Sequence, residues 1–253
     1  MASEPSFDVV TTADVRPGKQ LLFGVSHLGM AGVTATDYLV RHLDSELFGH
    51  VTSSGFPAIA PFEAGEPRHP MRLYTTAETD LAVFVGESFV PVWAAEAFVD
   101  GFLEWIDDSP VEEIVLLYGV PFPHGAEQHR VFYTATPTYR ERHLQDSDLE
   151  PLAGGFLDGI VAEFVLRSFD GEAPPIGVFI TPTHPPGPDL DAALLLLEAV
   201  QGVWDLTVDE QELMELAEQM KQYYGELADR MQALNQGEQP LSSRDYPEDR
   251  MFM

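Results

Sequence analysis

Cysteine is absent from the chain, which excludes disulfides, thiolate nucleophiles and cysteine-ligated zinc. Lysine is nearly absent: Lys19 and Lys221 are the two found among 13 basic residues, against 42 acidic ones and a formal charge of -29. A surface of that sign repels nucleic acid phosphates and anionic membrane, so neither is an expected partner. No apolar run approaches a membrane span, and MASEPSFDVVTT shows no basic region followed by an apolar core. A cytoplasmic protein is therefore expected. There is no GK[ST] triplet, which removes the P-loop. Abundant Asp and Glu with scarce lysine suits the high intracellular salt of a halophile, where self-repulsion is screened.

What is present is a foldable composition. At 45% hydrophobic and 11% aromatic residues the 253-residue chain can bury one sizeable core. Near-continuous apolar runs at 21–25, 81–85, 114–118 and 176–180 read as strands, and helical patterns alternate with them. That alternation predicts an α/β fold with a mostly parallel sheet covered by helices on both faces. The helices are expected at about 33–43, 92–107, 155–169 and 189–200. Strands or irregular segments are expected near 47–53 and 71–75, and a strand at 131–135, with an edge strand or loose lead-in over residues 1–19.

Composition changes after Asp205. Thr207 with Glu210 reads as a capping box, and Leu213, Leu216, Met220, Tyr223, Leu227, Met231 and Leu234 recur at spacings of three and four. This predicts a long C-terminal helix whose stripe packs on the domain or on a neighbouring subunit. The expected organisation is an α/β domain over 1–205, this helix over 206–235, and a mobile tail over 236–253.

The segment PPIGVFITPTHPPGPDLDAALLLLEAV is the organising stretch. A buried strand meets a proline-rich loop of fixed shape, and Asp189 then opens an apolar helix. A ligand crevice is expected at this end of the sheet, from His27, Gly29 and Gly32 in GVSHLGMAG together with His184 and Asp189. The glycine spacing matches no nucleotide fingerprint, and close helix-to-strand packing explains it without a ligand. His184 beside Asp189 reads as a base with its carboxylate or as a histidine bonded within its own turn. His124 and His129, with Glu127 between them, form a metal-type pair with no recognisable third ligand. No metal, cofactor or catalytic set is expected.

The chain ends Met251, Phe252, Met253: apolar, aromatic and a free carboxylate at the close of a polar tail. Such an ending reads as a docking peptide.

The strand-loop-helix TPTHPPGPDLDAALLLLEAV, the following DLTVDEQELMELAEQM, the early FGVSHLGMAGVTATDYLVRHLDSELFG and the later EPLAGGFLDGIVAEFVLRSF together resemble the archaeal proteasome assembly chaperone family, across roughly 18–230. The resemblance implies an α/β protein, often homo-oligomeric, that acts on proteasome α subunits without ATP. That family was once grouped with ATP-grasp enzymes, an assignment that no recognisable ATP-binding residue supports here. It also implies a C-terminal hydrophobic-tyrosine-any tripeptide that enters pockets between α subunits. Met251 fits the first position, Phe252 replaces the tyrosine, and Met253 supplies the carboxylate. The expected function is a non-enzymatic assembly chaperone or core-particle binder. The alternative is an enzyme or binder of a nucleoside or phosphate ester that uses the crevice.

Overall fold

The computed structural model describes residues 4–11, 15–76, 79–125, 128–184 and 187–235. In chain order the elements are β1 (Ser6–Thr11), β2 (Gln20–Val25), α1 (Ala31–His42), β3 (Ser45–Ser54), β4 (Phe62–Glu63), β5 (Glu66–Pro67), β6 (Met71–Thr76) and β7 (Leu81–Gly86). A short 3-10 turn at Val92–Ala94 leads into α2 (Ala95–Asp107), followed by β8 (Glu113–Val120), β9 (Phe132–Ala135), α3 (Pro137–His143), β10 (Glu150–Pro151), α4 (Gly159–Asp170), β11 (Ile176–Pro182), α5 (Leu190–Trp204) and α6 (Gln211–Asn235).

Among the described residues nine strands form one sheet in the order β1-β3-β6-β7-β2-β8-β11-β9-β10. The four apolar runs become β7, β2, β8 and β11, adjacent and mutually parallel at its centre. The sheet is nonetheless mixed: β1, β3 and β6 extend it antiparallel beyond β7, and β9 lies antiparallel to β11. The connection from β6 to β7, residues 77–80, is too short for a parallel crossover, so these two strands must run in opposite directions.

Alternation along the strands divides the core into two layers. Leu21, Phe23 and Val25 of β2 face α2 and α4, where Phe23 lies 4.8 Å from Phe102 and 5.0 Å from Phe164 between ring centroids. On the opposite face α1 packs with α5, burying Val33, Leu39, Leu196 and Leu197. There α1 meets the strands at backbone distance. A Cβ at Gly24 would collide with the Thr36 side chain, and one at Gly32 would collide with the Leu117 carbonyl.

Several boundaries differ from the sequence reading. The helix expected from residue 155 starts at Gly159, because Gly154 to Asp158 form an irregular lead-in. α3 and β10 are additional elements; α3 spans under two turns, too short for a periodic signal, yet its Tyr139 is fully buried. The Pro/Gly-rich stretch before β6 contains the small β4-β5 hairpin. The capping box does not form, since α6 starts at Gln211 and the Glu210 carboxylate accepts from Gln201 instead. The chain divides between Glu210 and Gln211 into two compact units, the second built on α6. Along α6, Leu216, Tyr223, Leu227 and Met231 are exposed.

The glycine contacts give a paired test by urea denaturation. Gly32→Ala should cost about 1–3 kcal/mol or more, because the obstacle is backbone that cannot rotate away. Gly202→Ala, on α5 with open space at the Cβ position, should instead gain about 0.5–1 kcal/mol.

Candidate functional site

The loops that follow the parallel strands gather at one end of the sheet. β2 leads to α1 on one face and β7 leads to α2 on the other, so the chain parts between these neighbouring strands. A crevice forms at such a divergence point. It is lined by Val25, Ser26 and His27 after β2, by Ser88 to Val90 and Val92 after β7, by Tyr118, and by Asp158 to Val161 at the start of α4.

His27 is held by its Nδ1–H, which donates to the Gly119 carbonyl at 3.0 Å, and its ring lies 4.8 Å from that of Tyr118. The Tyr118 hydroxyl donates to Asp158 at 2.6 Å. Burial first, and then the bond to Asp158, pushes that hydroxyl well above its ordinary value, so it stays a donor. The cleft holds about 110 Å³, well below the ~300 Å³ at which pockets enclosing small molecules begin. Among the described lining residues Asp158 is the one carboxylate, and neither lysine nor arginine joins it to receive a phosphate.

The remaining sequence-predicted residues do not line this cleft and have other tasks. Gly29 has φ 77 and packs against Thr183, so a side chain there would be both strained and crowded. Gly32 is the α1 contact described above. Asp189 N–H donates to the Gly29 carbonyl at 2.8 Å, and the Thr183 hydroxyl donates to the Leu28 carbonyl at 3.3 Å, which ties the loop after β2 to the loop after β11. Asp189 caps α5, accepting from Ala192 N–H at 3.0 Å with one oxygen. The other oxygen accepts from His184 N–H at 2.7 Å and from His184 Nδ1–H at 3.0 Å. One carboxylate thus supplies both the helix cap and the contacts that hold His184.

β11 and β8 end in register at Pro182 and Val120, so the loops that follow them start side by side. This brings His184 to His124 and His129, with ring centroids 5.0 Å from each. The third partner missing from the sequence reading is supplied by a different loop. Glu127, the acid between the pair, lies outside the described residues, as do Met251, Phe252 and Met253. Burial holds the His129 imidazole below its ordinary value, and the neighbouring His184 adds to the effect. Neither Tyr118 nor Asp158 lies in a motif that marks it as functional in the sequence. The one signal was a polar-tipped aromatic closing an otherwise apolar strand.

The sequence model of the PAC2 family matches residues 21–228. The chain belongs to the PAC2 family. No curated protein matches it. Among solved structures, this PAC2 chain is similar to Pyrococcus furiosus PbaA, described as an archaeal homolog of proteasome-assembly chaperone. The TM-score is 0.77 at 18% identity, covering 91% of this chain and 95% of PbaA. It is similar to Pyrococcus furiosus PbaB, described as an archaeal proteasome activator, with a TM-score of 0.74 at 18% identity over 88% of this chain and 99% of PbaB. A Thermoplasma acidophilum protein of unknown function gives 0.71 at 22% identity, covering 88% and 90%. At these identities the likeness is one of fold.

Tyr118→Phe tests how far the cleft is a structural bond rather than an open site. It should lower stability by about 1.5 kcal/mol at neutral pH, the lower end for a hydrogen bond to a charged group, as read by urea denaturation.

Proposed function

We propose that this PAC2 protein is a proteasome-binding protein, an assembly chaperone or core-particle binder that acts without ATP and without catalysis. The observation that carries the reading is the family match over residues 21–228, supported by a fold shared with PbaA and PbaB. The small volume of the cleft, which leaves little room for a substrate, favours a binding protein over the enzyme alternative. The cleft is also edged with exposed apolar groups, Phe89 and Val92, as surfaces that meet other proteins are.

In this proposal Met251, Phe252 and Met253 are the docking peptide. The Phe252 ring is buried between α subunits, and the terminal carboxylate pairs with a basic group there. The chain acts as a homo-oligomer, with the exposed α6 stripe of Leu216, Tyr223, Leu227 and Met231 as its pairing surface. Its surroundings are a salty cytoplasm, where the acidic surface is screened.

Deleting residues 251–253 should weaken capture of proteasome α subunits from high-salt lysate by at least about tenfold; equal capture by both forms would remove the tail from the proposal. Phe252→Tyr should tighten binding by about 0.5–1.5 kcal/mol if the pocket offers the phenol a partner, measured by calorimetry against purified α subunits. Added ATP should leave both values unchanged.

Leu227→Glu combined with Met231→Glu should shift the light-scattering mass to that of a single chain. An unchanged mass would move self-association elsewhere.

A further inference from the structure

Three histidines, His124, His129 and His184, each place one ring nitrogen within 4.8 Å of the others, at the point where two strand-end loops meet. We infer that they form a binding site for a borderline divalent transition metal of the zinc(II) class, with an open position for water. Imidazole is the ligand such ions take most readily, and three protein ligands plus a solvent position is a usual arrangement for zinc.

Proton placement in the rings suits a cation. His124 Nδ1 lies 2.9 Å from the Phe122 carbonyl, which can only accept, so Nδ1 carries the hydrogen and Nε2 keeps its lone pair. That Nε2 is 3.2 Å from His129 Nδ1. Two nitrogens bound to one tetrahedral zinc at about 2.0–2.1 Å would be about 3.3–3.4 Å apart, so this edge of the site already has the required length. His184 repeats the arrangement: its Nδ1–H donates to the buried Asp189 carboxylate, which frees Nε2 as the ligand atom. The carbonyl behind His124 and the carboxylate behind His184 are the usual outer support of metal-bound histidine.

The framework is pre-set. Asp189 is itself fixed by the α5 cap and by Gly29, and Thr183 N–H donates to the Val120 carbonyl at 3.1 Å, locking the two loops together next to the histidines. Prolines at 121, 123, 182 and 188 restrict the same loops. His184 is 60% exposed while Asp189 is 6% exposed, so one side of the site faces water and the other is held by protein. An ion here would clamp the β8–β9 loop to the β11–α5 loop. Without a metal, His129 Nδ1–H donating to His124 Nε2 accounts for the same 3.2 Å contact, and an ordinary hydrogen bond is the competing explanation.

Titrating tag-free, EDTA-stripped full-length protein with Co(II) separates the two. The site should develop the visible absorption of low-coordinate Co(II), saturating near one ion per chain, and Zn(II) should bleach it while Mg(II) does not. His184→Ala and His129→Ala should each abolish the saturable signal, with the fold checked by circular dichroism. Asp189→Asn should weaken Co(II) binding by about 10–100-fold. A silent or non-saturating titration overturns the site, as does a signal that persists in both histidine variants. Should either variant misfold, histidine NMR of the wild-type chain during Zn(II) addition decides. Perturbation of these three rings supports the site, and perturbation confined to others such as His50 and His69 overturns it.

Discussion

The helix-to-sheet contact at Gly24 and Gly32 sets the geometry of everything at the functional end of the molecule. With no side chain between them, α1 comes down onto β2 and β8 at backbone distance. The turn from β2 into α1 is then so tight that Gly29 and Met30 both adopt positive φ. That turn offers the Leu28 and Gly29 carbonyls to Thr183 and Asp189, which positions the proline-rich loop after β11. The loop in turn carries His184 to its neighbours. A helix held farther off by even one methyl would displace the receiving carbonyls and everything fastened to them.

Parallel strands at the sheet centre were legible because burial on both faces leaves almost no polar position: 21–25, 81–85 and 176–180 have none, and 114–118 has only the Tyr118 hydroxyl at its end. α1, α2, α5 and the C-terminal helix were legible from spacing, and the Asp189 cap from its place before an apolar helix. The antiparallel flank was not, since residues 45–54 and 71–76 mix polar and apolar types and their direction depends on what lies between them. α3 was too short to show a period, although Thr136-Pro137 is a fair start signal. At the site, His124 with His129 and His184 with Asp189 were legible as two separate pairs. Their meeting was not, because it is fixed by the pairing of β8 with β11, and no local pattern encodes that register.

Charge distribution follows a related logic. With so few cations, the chain concentrates them: Arg68 and Arg72 share Asp37 and Glu87, and Arg41 bridges Asp37 and Glu63. Arg72 is nearly buried on β6, so its charge is shielded from salt more than that of the surface acids. This cluster braces α1 and the β4–β5 hairpin against the antiparallel flank in a protein whose remaining surface repels itself.

The two edges of the sheet are unlike. One is closed by β10, just Glu150 and Pro151, and a proline has no N–H with which to extend a ladder. The other is β1, six residues long and paired to β3 along its whole length. The sheet therefore has a polarity across its strands as well as along them. The edge that keeps its backbone donors, β1, thus lies far across the sheet from the histidine loops, which follow β8 and β11.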